Sequence, residues 1–274
     1  MSGDVNLIVE ARTALLDALQ ALDSHIDSVI LVGAQAVYLR TGDTDFGIAA
    51  ATADSDFVLD PRSLRDEPLI EKVMSDAGFM KDPTSSQPGA WISPLGIPVD
   101  LMVPATLAGR GRRSVEIPPH DSKVARSAHG LEASLVDNDR MQVDSLAKDD
   151  RTGEIRVAGP SALLVSKAYR IGERRDCAPT RLKDKDAHDM YRLLVACSTE
   201  GLVSRFGRLL ADPLSAEVSS RGLDYIDSLF GTPESLGSIM AGRAERFVGD
   251  PDLVASSASM LVQQLIRSMG TAAL

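Results

Sequence analysis

Residues 28–60 read SVILVGAQAVYLRTGDTDFGIAAATADSDFVLD, and the fold turns on them. An apolar run, Val29-Ile30-Leu31-Val32, stops at Gly33. A second run, Phe57-Val58-Leu59, is entered through Asp54-Ser55-Asp56. In an extended strand residues i and i+2 share a face, so Asp54 and Asp56 present two carboxylates side by side. Like charges that close repel unless a cation lies between them, and a divalent metal is the usual one. The plain alternative is a pair of solvated strand-end acids. A third acid argues for the metal: Asp100 stands alone in Ile97-Pro98-Val99-Asp100-Leu101-Met102-Val103, and a lone acid inside a strand has a motive to face something charged.

Working outward, residues 5–26 place Leu7, Ala11, Leu15, Leu16, Leu19 and Leu22 at helical spacing. Residues 34–40 form a short helix closed by Thr41-Gly42. Helix, strand, helix is an α/β opening. Residues 43–53 read as a tight loop or as close packing around Ala49, Ala50 and Ala51. A second helix is expected over 63–77, with Leu64, Leu69, Ile70, Val73 and Met74 on one face and Gly78 as its cap. After a loop at 81–89, Ala90-Trp91-Ile92 and 97–103 form an antiparallel hairpin about Ser93-Pro94-Leu95-Gly96. That hairpin brings Asp100 toward the two earlier acids. Trp91 reads as a core-rim aromatic, Gly109-Arg110-Gly111-Arg112-Arg113 as a surface loop, and His120 and His129 as surface residues. Short β pieces fill 131–157. Gly159-Pro160-Ser161 then opens a helix, with Ser161 near its cap, and the pattern stays helical over 193–196, 202–210, 216–230, 235–247 and 253–269. The expected organisation is an α/β domain over 1–158 and a helical domain over 159–274.

Composition narrows the class. In 274 residues, 44% are hydrophobic and 25% charged, which suits a globular chain and not a disordered one. No run of about 18 apolar residues occurs, so no membrane span is expected. The N-terminal residues lack the basic start of a signal peptide. Cys177 and Cys197 have neither metal-ligand nor disulfide spacing, which suits a reducing cytoplasm. A net charge of −10 argues against a surface that binds nucleic acid by charge alone. One basic stretch departs from this: Lys167, Arg170, Arg174, Arg175, Arg181, Lys183 and Lys185 outnumber Glu173, Asp176 and Asp184, and a polyanion would be received there.

That stretch holds a second constellation, PSALLVSKAYRIGERRD followed by RLKDKDAHDMYRLL. Lys167 leaves one edge of a helix whose apolar face is Leu163, Leu164 and Val165. Asp186 and Asp189, three apart, share a face of the next helix, with Lys185 beside them. Groups from the two helices are expected to converge. A salt-bridge network without a ligand is the competing reading.

Together the two constellations resemble the nucleotidyltransferase superfamily. The glycine turn at Gly33, the D-x-D of Asp54 and Asp56 entering a second strand, and the single Asp100 in a third carry the likeness. The Lys167 helix followed by Arg-x-Lys-Asp-x-x-Asp is similar to the AbiEii-like branch, the toxins of type IV toxin–antitoxin pairs. The resemblance implies a mixed sheet flanked by helices, α/β (α+β) in class, followed by a helical bundle. It implies a metal-dependent transfer of NMP from an NTP to a tRNA or protein hydroxyl. Asp54, Asp56 and Asp100 would hold Mg²⁺ or Mn²⁺, Gly33 and Ala34 would lie against the nucleotide, and Lys167 would touch the triphosphate. Lys185 and Asp186, with Asp189, would complete the site. A cognate antitoxin is an implied partner. The chain departs from the family where Ala34 follows Gly33 in place of a small polar residue, and where 35–53 lengthens the connection to Asp54. The remaining alternatives are an NTP-binding module without turnover, an antibiotic adenylyltransferase, and a glycosyltransferase using its D-x-D with Mn²⁺.

Overall fold

A computed structural model of the chain describes residues 2–42, 54–109 and 114–272. The undecided stretch 43–53 and the basic residues Arg110, Arg112 and Arg113 lie outside the described residues. The protein is a mixed α/β structure with an eight-stranded sheet. It divides into two compact units. The first comprises Met1–Ala36, Ala49–Leu131 and Asn138–Ala158; the second comprises Val37–Ile48, Glu132–Asp137 and Gly159–Leu274. Among the described residues, no helix is long and apolar enough to cross a membrane.

In the first unit, helix α1 (Ser2–Ala21) leads through a 3-10 turn (Asp23–Ser28) into β1 (Val29–Val32). Helix α2 (Gly33–Thr41) starts at once, and β2 (Ser55–Leu59) follows the connection. Then come α3 (Ile70–Asp76), β3 (Met80–Lys81), β4 (Ala90–Ile92), β5 (Pro98–Pro104) and β6 (Arg126–Ala128). Strands β7 (Asn138–Asp144) and β8 (Thr152–Ala158) complete the sheet, in the order β3-β4-β5-β2-β1-β8-β7, with β6 also pairing β5. Every residue of β1 and β2 is buried, which is why Val29–Val32 and Phe57-Val58-Leu59 read as continuous apolar runs and not as alternating ones. Ala14, Leu15, Ala18 and Leu22, spaced as one helical face, are fully buried in the same unit.

Several local expectations change. The helix expected over 63–77 exists only as Ile70–Asp76. Pro68 has no N–H and disfavours helical backbone at Glu67, so the turn before Leu69 cannot join the helix. His120 is a buried residue, 7% exposed, and not a surface one. Its Nδ1 accepts the Ile70 N–H at 3.3 Å and its Nε2–H donates to the Arg65 carbonyl at 2.9 Å, so it supplies the hydrogen bonds that this proline-broken segment lacks. Trp91 is 2% exposed, and its indole N–H donates to the Val124 carbonyl. The β pieces expected over 131–157 begin with a helix, α4 (Glu132–Val136), because five residues of mixed polarity fit either period.

In the second unit α4 is followed by α5 (Pro160–Cys177), α6 (Asp184–Ala196), α7 (Thr199–Ala211), α8 (Ala216–Phe230), α9 (Leu236–Glu245) and α10 (Pro251–Ala272). Helix α5 packs on α6 and α8, where the Tyr169 and Tyr225 rings meet edge to face at 5.3 Å. Ser161 does not cap α5. Gly159 is the cap residue, and Asp137 accepts the Ala162 N–H at 3.2 Å while also holding Arg205.

Candidate functional site

The D-x-D motif lies where the first unit's sheet changes direction. Strand β2 runs antiparallel to β1, with Val32 opposite Asp56, and parallel to β5, with Asp56 opposite Asp100. Residues directly opposite on neighbouring strands present their side chains on one face, so the Asp56 and Asp100 carboxylates are neighbours. Asp54, two residues before Asp56, is exposed at the same end; Asp56 is 7% exposed and Asp100 is partly buried.

The turn beside them must be glycine. Gly33 opens α2 with φ +71°, a conformation that a side chain resists, and a Cβ at this position would collide with the Asp56 carboxylate. The first turn of α2 therefore stands directly against the D-x-D. Gln35 fixes that turn from behind: its side-chain amide donates to Ser55 Oγ at 2.9 Å and to the Ala11 carbonyl at 3.3 Å. Ala34 is buried at 3% exposure and offers no polar side chain. At Gly33 and Ala34 an anion would meet backbone N–H groups of the helix start.

Burial drives the Asp100 carboxyl upward from its ordinary pKa; Arg126 draws it down, and the Asp56 and Asp54 charges raise it again, for a net upward shift. Arg126 donates from Nη2 to Asp100 Oδ2 at 2.9 Å. Its place follows from the sheet. Strand β6 lies parallel to β5 with Met102 opposite Arg126, so Arg126 and Asp100 share a face, one diagonal step apart. Strand β4 flanks β5 over residues 98–100 and β6 flanks it over 102–104. Gly89 occupies the junction with φ +76°, where a Cβ would collide with the Leu101 carbonyl and the Arg126 nitrogen.

Among the described residues, no group of three or more His, Cys, Asp or Glu side chains is close enough to hold a metal by itself. Magnesium commonly takes one or two carboxylates together with substrate phosphates. Paired acids with oxygen donors on one face, beside a side-chain-free helix start, fit an ion that arrives with a triphosphate.

The second constellation lies in the second unit and does converge. Lys167 of α5 donates to Asp186 at 3.0 Å and to Asp189 at 2.5 Å, both on α6, and Arg174 donates to Asp186 at 2.8 Å. These side chains are closed off: Lys167 is 3% exposed, Asp186 1% and Asp189 5%. Burial works against the Lys167 charge, but Asp189 and Asp186 outweigh it and raise its pKa. Burial also opposes the Asp186 charge, and Lys167, Arg170 and Arg174 hold it down at about 2. Lys185 is only half-buried and sits at the start of the same helix.

Arg126 stands outside both sequence constellations. A usable signal was present, since Val124-Ala125-Arg126-Ser127-Ala128 carries a single charge among small and apolar residues, the same pattern that singles out Asp100. Set against protein-family models, curated proteins and solved structures, the chain matches none of them.

Proposed function

We propose that the protein is a divalent-metal-dependent nucleotidyltransferase that moves an NMP from an NTP to an acceptor hydroxyl. The observation that carries this is the register pairing of Asp56 with Asp100, with Asp54 two residues before and Gly33 pressed against Asp56. Asp54 and Asp56 are the residues that would hold the metal, with Asp100 completing its donor set. When bound, the ion supplies charge neutralisation and in-line orientation for phosphoryl-type transfer. The chain's own residues do the rest. The upward shift of Asp100 suits a carboxylate that accepts the acceptor hydroxyl's proton. The start of α2 points backbone N–H groups at an anion. The burial of Lys167, Asp186 and Asp189 supports a tie between α5 and α6 over direct contact with phosphate.

The acceptors implied by the resemblance are tRNA and a protein hydroxyl, with growth inhibition and a cognate antitoxin as the biological setting. The second reading is an NTP-binding module without turnover, favoured by Ala34 where a polar phosphate contact is expected. Incubation of the purified protein with each labelled NTP, Mg²⁺ and either total tRNA or a protein extract separates these. Transfer of label that is lost in Asp56→Asn supports the enzyme. Binding by calorimetry with no transfer to any pool supports the module, and neither binding nor transfer removes both.

A further inference from the structure

Resting on the metal-site reading above, we propose that Arg126 is an exchangeable counter-ion of the acid pair. It is bonded to Asp100 in the ion-free protein and released to an anionic phosphate oxygen of the nucleotide when Asp100 turns to a divalent cation.

Three observations carry this. Asp56 and Asp100 face each other across paired strands, so the ion-free site carries two adjacent negative charges and needs a cation. Arg126 supplies one, reaching Asp100 from the neighbouring strand β6. The bond is also incomplete. A structural arginine–carboxylate pair commonly uses two parallel N–H donors, whereas here Nη2 alone reaches Asp100 and Nε is buried without a partner. Finally, the pair is open, with 29% of the Asp100 side chain and 18% of the Arg126 side chain exposed. A guanidinium held by one bond at an accessible acid, with a second donor unused, is placed to change partners. Its fork geometry suits phosphate oxygens.

The test compares wild type with Arg126→Gln and Arg126→Lys, measuring Mg²⁺ and Mn²⁺ binding by calorimetry, Mn²⁺ binding by paramagnetic resonance, and melting with EDTA or with MgCl₂. In Arg126→Gln the free ions bind roughly tenfold tighter, the factor one charge-assisted hydrogen bond represents, because nothing competes for Asp100. Its melting temperature falls in EDTA and rises more than that of wild type on adding MgCl₂. Mg²⁺-loaded ATP, GTP, CTP and UTP, tested in turn, give the reverse order, with the tightest of them bound several-fold more weakly by the variant. Arg126→Lys, which keeps the charge without the fork, falls between. Ion binding of equal or lower affinity in Arg126→Gln overturns the exchange while leaving the acid site standing. Failure of all three proteins to bind Mg²⁺ or Mn²⁺, either free or together with an NTP, overturns the acid site and the exchange with it.

Discussion

Two clusters of opposite charge, one in each unit, differ in a way that assigns them different work. Around Lys167 the ammonium and both carboxylates are almost wholly buried, and every charge is matched by one or more others: Asp186 alone meets Lys167 and, from the rim, Arg170 and Arg174. Around Asp100 two acids are neighbours and one arginine bonds Asp100 alone, through a single contact whose side chains are partly open. A closed network whose acids are fully paired costs much to disturb because removing the buried cation strands the carboxylates without solvent. An open, under-compensated one costs little to disturb and gains from an added cation. The first arrangement suits a tie between helices, and the second suits the proposed metal site.

The sharpest way to break this contrast is to strip the closed cluster. Lys167→Met leaves Asp186 and Asp189 buried without their shared ammonium, and urea unfolding is expected to show a loss of about 3–5 kcal/mol. The triple change of Lys167→Met with Asp186→Asn and Asp189→Asn should recover part of that loss, since no stranded charge remains. A Lys167→Met protein as stable as wild type, with impaired nucleotide binding, would instead return Lys167 to the triphosphate role. The mirror experiment is in the open cluster. Asp56→Asn or Asp100→Asn should leave stability in EDTA unchanged or slightly higher, because like charges are removed. Label transfer should fall roughly a hundred- to a thousandfold, as removal of preorganised charge stabilisation commonly causes. Loss of fold in either variant would mean the acids are structural.

The open site was partly legible in the sequence and the closed cluster more so, for different physical reasons. Asp54 and Asp56 declare their shared face through the two-residue period, and Lys167, Asp186 and Asp189 declare theirs through helical spacing; both periods are local. The pairing of Asp56 with Asp100 is not local, since strands β2 and β5 are parallel and separated by a helix and two further strands. Arg126 was hidden by the brevity of β6, three residues that show no period. The same shortness disguised α4. The helix expected over 63–77 failed where one proline outweighed five well-spaced apolar residues, and His120 passed for a surface residue because its partners, Arg65 and Ile70, are supplied by that broken segment.

Acid titration sharpens the contrast more gently, because the two units lose stability in separate windows. In the second unit Asp186 titrates at about 2 against an ordinary 3.8. A carboxyl depressed by folding contributes stability above 3.8 and loses it as pH falls through the folded value, here about 2 kcal/mol in all. In the first unit His25, 1% exposed and donating its Nε2–H to the Pro68 carbonyl at 2.7 Å, has its pKa lowered mainly by burial, with His120 and Arg65 adding to the fall. Its ring is 5.6 Å from that of His120. A histidine depressed by folding contributes stability above 6.5 and loses it as pH drops from there through the folded value, at no more than about 1.4 kcal/mol per pH unit. Intrinsic fluorescence distinguishes the two, since Trp91, the single tryptophan, belongs to the first unit and all four tyrosines, Tyr38, Tyr169, Tyr191 and Tyr225, to the second. Urea midpoints followed at Trp91 should begin to fall below pH 6.5 and lose that slope in His25→Gln. Midpoints followed at the tyrosines should hold until about pH 4 and then fall, with Lys167→Met flattening the decline. Coincident midpoints at every pH would show that the units unfold as one, and the difference between the clusters would then have to be read from ion binding alone.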